Sequence, residues 1–128
     1  MRMHFTIQLI PISKKNHQQI LKNKKTGKSF VAPSKQYQDY ERDAMWFVPK
    51  GKQIDYPVNI KCLFYMPTKR PCDLTNMLES VDDVMVKAGL LKDDNYKIVV
   101  SHDGSRVLYD KFNPRTEVYI ERVKDECQ

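Results

Sequence analysis

Four carboxylates in two short segments, residues 69–79 and 92–95, are the side chains best suited to chemistry in this chain. They are Asp73, Glu79, Asp93 and Asp94. Carboxylate oxygens are the ligands that Mg²⁺ prefers, and the ion usually takes one or two of them, with water and substrate phosphate completing its shell. Bound Mg²⁺ can acidify a water molecule and stabilise a departing oxygen. The segments therefore predict a Mg²⁺ site for phosphodiester chemistry, with Mn²⁺ as a substitute ion.

Charge is unevenly distributed along the chain, whose formal net charge is +6. Residues 1–53 hold 11 Lys and Arg against three acids, a balance of +8, whereas residues 72–103 hold three Lys against seven acids, a balance of −4. A basic surface attracts polyanions, and an acidic focus within it suits a cation. The asymmetry favours a nucleic-acid partner with a cation site, although solvated surface charge would give the same counts.

Each carboxylate also has a purely structural interpretation. Asp73 precedes the first apolar position of a predicted helix, where Asp is a good N-cap. Asp93 and Asp94, followed by Asn95, form a triplet that is common in turns. Glu79 falls on the outer face of the same helix, where most acids are simply solvated. Spacing alone leaves both interpretations open.

Length and composition indicate one domain over residues 1–128, with its core at about 4–123. The chain has no apolar run near the ~18 residues of a membrane span, so we expect a soluble protein without a membrane partner. Its three cysteines are an odd set without Cys-x-x-Cys spacing. A reduced, cytoplasmic location is therefore expected.

The periodicity predicts an α+β fold, a small mixed sheet with two main helices. Alternating apolar residues predict strands over 5–10, 58–66, 97 onward and 116–123. A hairpin or extended arm is predicted over 17–32 around Gly27, and a turn over 101–106 with Gly104 at its tip. A first helix is predicted over 34–48, capped by Ser34, with three aromatic residues in the core: Tyr37, Tyr40 and Trp46.

The central helix has the clearest pattern, because apolar residues recur at helical spacing from Leu74 to Ala88 and Gly89 then ends it. If the following strand turns back beside the helix, Asp94 lies at the far end from Asp73. Bringing the two together requires either a sheet that crosses the helix or a second subunit.

The order of residues around this helix resembles one nuclease family. The similarity rests on Asp73-Leu74-Thr75-Asn76, then Lys87-Ala88-Gly89 and Lys92-Asp93-Asp94, and it extends over about residues 4–123. The pattern is similar to that of the RusA family of crossover-junction endodeoxyribonucleases. The resemblance implies a homodimeric, Mg²⁺-dependent enzyme that introduces paired nicks into four-way (Holliday) junctions, in DNA recombination and repair.

By the same resemblance, Asp73 and Asp94 are metal ligands and catalytic residues, with Asp93 as a neighbouring candidate ligand. The chain departs from the family pattern at Thr75, where a second Asp is expected, and at Glu79, where a Lys is expected. One hypothesis reconciles both changes: Glu79 restores a carboxylate to the site, and a nearby basic residue replaces the lost cation.

Basic residues before and within the arm, and those preceding the central helix, are predicted to contact the phosphates of branched DNA. They are Lys14, Lys15, Lys22, Lys24, Lys25, Lys28, Lys69 and Arg70. Phe30 is a candidate for insertion between bases. Two alternatives stay open, a catalytically inactive junction-binding or DNA-binding relative and a structural or protein-interaction domain.

Overall fold

The structure, a computed structural model, describes residues 1–14 and 18–124. Its helices are α1 (Lys35–Ala44) and α2 (Leu74–Lys87), and a 3₁₀ turn, Met45–Phe47, follows α1. Its strands are β1 (Arg2–Ile7), β2 (Gln18–Lys22), β3 (Ser29–Pro33), β4 (Val58–Met66), β5 (Val99–Ser101), β6 (Arg106–Tyr109) and β7 (Arg115–Arg122). The predicted α+β class is confirmed. In this part of the chain, neither helix is long and apolar enough to cross a membrane.

Strand β4 lies at the centre of a mixed sheet of order β1–β7–β4–β5, and β6 also pairs with β4. Strand β7 is antiparallel to both β1 and β4, whereas β5 and β6 are parallel to β4. A parallel pair needs a crossover connection, and α2 supplies it between β4 and β5. The position of α2 is therefore fixed by the strands on either side of it.

Strands β5 and β6 behave as one edge strand with an interruption. Strand β5 aligns with the start of β4 and β6 with its end, so residues 102–105 lie opposite residues 60–62. The edge thus carries four residues against three, which suits a bulge. The predicted turn is confirmed, since Gly104 has φ +88° and a Cβ there would lie 2.7 Å from Lys61 Cδ. The short strand β6 was not predicted.

Side chains replace the missing ladder at this interruption. The Cys62 amide donates to Ser105 Oγ at 3.0 Å, and the Ile60 carbonyl lies 2.9 Å from His102 Nδ1. Asn59 Oδ1 accepts from the Asp103 amide at 2.8 Å. The backbone groups of β4 therefore stay satisfied where the edge strand leaves the sheet.

The core lies on the face of the sheet that the helices cover. Alternate residues of β4 are fully buried there, as the predicted strand 58–66 requires: Val58, Ile60, Cys62 and Phe64. Helix α2 adds Met77, Val81, Val84 and Met85. Gly89, at φ +84°, ends the helix as predicted, and the next amide, that of Leu90, donates back to Met85 O at 3.0 Å.

Helix α1 confirms one expectation and corrects another. Ser34 Oγ accepts from the Tyr37 amide at 3.2 Å, so the predicted cap is present. Tyr37 and Tyr40 are buried as expected, but Trp46 is 81% exposed, and its assignment to the core was wrong. Trp46 follows Tyr37 by nine residues, which is two and a half turns and places it on the opposite side.

The arm is a hairpin, as predicted, formed by β2 and β3 as a separate two-stranded sheet. Asn23 Oδ1 accepts from the Lys25 amide at 2.9 Å, and Gly27 adopts φ +73°. These contacts close the turn that carries the exposed lysines.

Two strand boundaries differ from the sequence prediction. The first strand ends at Ile7, because Ile7 pairs with Thr116 and β7 begins only one residue earlier, at Arg115. The strand expected from Lys97 begins at Val99, because Asn95 accepts the amides of Lys97 and Ile98 and holds them in a turn.

Candidate active site

Asp73 caps helix α2 and is exposed to solvent. Its backbone is extended, and Oδ1 accepts from the Thr75 amide at 2.9 Å. The structural interpretation of Asp73 is therefore correct, but it does not use the whole carboxylate, since no described residue donates to Oδ2. A shallow surface depression surrounds the side chain, lined by Pro71, Cys72, Asp73, Leu74 and Asn76. One carboxylate oxygen thus remains available to a ligand at the helix start.

The segment after α2 is a turn held by its own side chains. Asp93 Oδ1 accepts from the Asp94 amide at 2.7 Å, and Oδ2 accepts from Asn95 Nδ2 at 3.0 Å. Both oxygens of Asp93 are therefore engaged locally. Asp94 is exposed and makes none of these side-chain bonds. Within the pair, Asp94 is the carboxylate better placed to bind an external group.

Asp94 lies close enough to the second half of α2 to act on its acids. Burial raises the pKa of Asp83; Lys14 lowers it, Asp94 raises it, Lys87 lowers it, and Glu79 raises it further. Glu79 and Asp94 therefore share the electrostatic environment of Asp83. The structure brings these two predicted site residues toward one region, and it adds Asp83 from the same helix.

Asp73 does not join that region within one chain. It precedes Asp83 by ten residues, or roughly 15 Å along the helix axis. In residues 1–14 and 18–124, no group of three or more His, Cys, Asp or Glu side chains is close enough together to hold a metal ion. The ligand set of Asp73, Glu79, Asp93 and Asp94 therefore stays a prediction.

A buried acid–imidazole pair, which the sequence did not indicate, lies beside these acids. Asp82 Oδ2 is 2.9 Å from His102 Nε2, and Asp82 is only 7% exposed. Asp82 stands among the apolar positions of α2, and His102 stands in a loop, so neither spacing nor type suggested a pair. His102 directly follows β5 and lies opposite Ile60, whose side chain is buried on the helix-covered face of the sheet.

The predicted DNA-binding lysines fall into two groups on the surface. Lys24, Lys25 and Lys28 are exposed at the turn of the hairpin, while Lys15 lies outside the described residues. The Lys14 amide donates to Ser80 Oγ at 3.0 Å, which ties the segment after β1 to α2. Lys14 therefore lies beside the acids of the helix, where burial raises the pKa of Asp83 and the charge of Lys14 lowers it.

Lys69 and Arg70 precede α2. The Lys69 ammonium lies 5.1 Å from the centre of the Tyr109 ring, and Arg70 is exposed. Phe30, the candidate for insertion between bases, is 48% exposed on β3 opposite Leu21. These side chains are accessible to a large anionic partner.

The sequence places this chain in a known class of nucleases. The sequence model of the family described as Endodeoxyribonuclease RusA matches residues 9–121, and the chain belongs to that family. A relative in this family is the crossover junction endodeoxyribonuclease RusA of Aquifex aeolicus (strain VF5), with 39% identity over 74 residues. The alignment covers 56% of this chain and 57% of the relative, so it spans little more than half of each. The resemblance found in the sequence is confirmed at the level of the family.

Proposed function

We propose that this protein is a Mg²⁺-dependent endodeoxyribonuclease that resolves four-way DNA junctions by paired phosphodiester hydrolysis. It acts as a homodimer, in the cytoplasm, in DNA recombination and repair. The observation that carries the proposal is the family match over residues 9–121, which includes Asp73, Asn76 and Asp94 around one helix.

The oxygen-rich donor set suits a hard divalent cation. Asp94 and Glu79 both raise the pKa of Asp83, which means that these carboxylates disfavour one another's charge. A cation beside them relieves that repulsion. Asp73, Glu79 and Asp94 would hold the metal, and Asp93, whose oxygens are occupied by the turn, orients Asp94. When bound, Mg²⁺ would polarise the phosphate that is cut and lower the pKa of a water molecule.

The distance between Asp73 and the acids of the second half of α2 supports a homodimer. In a two-fold dimer, Asp73 of one subunit can approach Asp94 of its partner, which satisfies the second of the two arrangements that the sequence left open. Two such sites related by a two-fold axis match the symmetry of a four-way junction. Paired nicks follow from that symmetry.

The proposal is tested with a synthetic four-way junction and a linear duplex of the same sequence. We expect symmetric nicks in the junction with Mg²⁺ or Mn²⁺, none with Ca²⁺, and no cutting of the duplex. Denaturing gels of each labelled strand measure the cuts. A protein that leaves every branched substrate intact with Mg²⁺ and Mn²⁺ contradicts the proposal.

A second candidate function is junction binding without cleavage. Thr75 and Glu79, which differ from the family pattern, favour it, as does the absence of a three-acid cluster in the described part of a single chain. This candidate predicts tight, structure-selective binding without nicks under any divalent ion. Equal affinity for the junction and the duplex would instead indicate a protein-interaction domain.

Replacing Lys24, Lys25 and Lys28 together by Ala is expected to weaken junction binding and its dependence on salt. Each phosphate contact contributes roughly 0.9 to the slope of log affinity against log salt, so the slope should fall in magnitude by about 2 to 3. Binding titrations at several salt concentrations measure it. The matched control replaces three exposed lysines elsewhere, Lys50, Lys52 and Lys111. An equal loss of slope in the control would show that only net charge matters.

A further inference from the structure

The Asp82–His102 pair connects three elements in one chain of hydrogen bonds. Asp82 belongs to α2, His102 follows β5, and the Ile60 carbonyl belongs to β4. The second carboxylate oxygen of Asp82, Oδ1, is buried, and no described residue donates to it. A buried carboxylate with so few donors is costly to keep charged, so its single partner decides its state.

The geometry fixes where the protons lie. A carbonyl only accepts, so His102 Nδ1 carries a hydrogen and donates it to Ile60 O at 2.9 Å. The contact between Nε2 and Asp82 Oδ2 then needs one further proton, whether it sits on the imidazole or on the carboxylate. In both forms, the pair as a whole is neutral. Loss of that proton leaves a lone pair of the imidazole facing a buried carboxylate.

The surroundings favour retention of the shared proton. Burial, together with the charges of Asp94 and Asp83, raises the pKa of Asp82 against the lowering effect of His102. Burial opposes the charge on His102, but the hydrogen bond and charge of Asp82 and the Ile60 carbonyl raise its pKa overall. From β4, Cys62 also faces Asp82, and burial followed by the Asp82 charge raises the pKa of its thiol.

We propose that Asp82 and His102 are positioning residues for the nuclease site, acting through one shared proton. With the proton in place, the pair holds the middle of α2 against β4 and adds no charge beside Asp83 and Asp94. Without it, the contact becomes repulsive and a third negative charge joins those two. This inference rests on the proposed function, since it assigns a role in junction cleavage.

Asp82→Asn removes the shared proton but keeps the contact between residue 82 and His102. The amide of the new Asn can donate to Nε2 of a neutral imidazole, which still donates from Nδ1 to Ile60 O. The variant therefore keeps the shape and both hydrogen bonds without a titrating proton. We expect it to fold, and to cut junctions at nearly the wild-type rate at pH 6.

The informative quantity is the ratio of wild-type to Asp82→Asn kcat/KM as pH rises. The ratio should fall by up to about tenfold per pH unit above the pKa of the pair, because only the wild type loses its proton. Circular dichroism at each pH verifies that both proteins are folded. If the pair only stabilised the fold, the ratio of the two folded proteins would not change with pH. His4→Gln, a change at an exposed histidine on β1, should retain the wild-type profile.

Two further measurements complete the test. The ¹⁵N shifts of His102 should change with pH in the wild type as the shared proton is lost, and should stay those of a neutral imidazole above pH 6 in Asp82→Asn. His102→Leu, which has no donor for the Asp82 carboxylate, should cut poorly, and Asp82→Asn in the same chain should restore much of the rate.

The outcomes separate this inference from the function on which it rests. A falling ratio together with the restored double variant supports the positioning role. A ratio that stays constant from pH 6 to pH 9, while both proteins cut junctions, overturns it and leaves the nuclease intact. If neither protein cuts at any pH, the proposed nuclease function fails, and the positioning role fails with it.

Discussion

Asp94→Asn is expected to abolish junction cleavage while leaving the fold unchanged. Asp94 is exposed and makes no side-chain bond in the turn that contains it, so stability should change little. Loss of a ligand to a catalytic cation removes several kcal/mol of transition-state stabilisation, or roughly 10²- to 10³-fold in rate. Asp73→Asn should also abolish cleavage, because it removes a predicted ligand. It should leave the fold unchanged, because Asn caps a helix about as well as Asp. Single-turnover cleavage and thermal unfolding measure the two properties.

Asp55→Asn is the matched control, because Asp55 is an exposed acid before β4 that is not among the predicted ligands. It should cut at the wild-type rate. If Asp94→Asn retained more than half of the wild-type rate with saturating Mg²⁺, the metal-ligand role of Asp94 would be excluded. Binding to the junction in Ca²⁺ distinguishes a defect in chemistry from a defect in recognition.

Mixing the two inactive variants tests whether the site spans two subunits. If Asp73 of one chain acts with Asp94 of the other, a mixed dimer of Asp73→Asn and Asp94→Asn contains one intact site and one doubly altered site. Such a mixture should nick one strand of the junction. If each site lies within a single chain, every site in the mixture carries a substitution and no nick forms.

Glu79→Gln is expected to lower the cleavage rate on the order of 10²-fold, if Glu79 supplies the carboxylate that Thr75 does not. Glu79 is exposed on α2, and its charge raises the pKa of Asp83, which places it on the side of the helix that faces Asp94. The change removes a charge but keeps the size of the side chain. Cleavage at a range of Mg²⁺ concentrations should show a lower maximal rate and a higher Mg²⁺ concentration for half-maximal rate.

Glu121→Gln controls for the loss of a surface carboxylate, because Glu121 lies at the end of β7 and pairs with Arg2. It should have no effect on cleavage. A Glu79→Gln protein that cuts junctions at the wild-type rate would show that the site works without a third carboxylate. The compensation hypothesis would then be withdrawn, whereas the roles of Asp73 and Asp94 would still stand.

The elements that bury one face were predictable from the sequence. Buried residues alternate along β4 and recur at helical spacing along α2, because each element covers the core with a single face. Such a pattern can be recognised directly in the sequence. Asp73 and Gly89 mark the ends of α2 for equally local reasons, a side-chain cap and a left-handed backbone. The family pattern added the chemistry that spacing alone left open.

The remaining features depend on contacts between distant segments. Asp82 lies among apolar positions of α2, and only its meeting with His102, twenty residues later, explains a buried acid there. Strand β6 has four residues, and its pairing with β4 follows from the interruption before it. The distance between Asp73 and Asp94 likewise depends on how α2 crosses between β4 and β5, and no local sequence pattern predicts that crossing.

The interruption of the sheet edge also constrains how this chain can change. Surface loops usually tolerate insertions and deletions, because their length does not alter the elements on either side. Residues 102–105 are different, since they exceed the facing part of β4 by one residue and include His102, which contacts Asp82. Lengthening or shortening this loop by one residue is expected to displace His102 from Asp82, and by the proposed shared proton this would alter the charge carried by α2. In this protein, the tolerance of an edge loop to mutation is limited by the electrostatics of a helix on the covered face of the sheet.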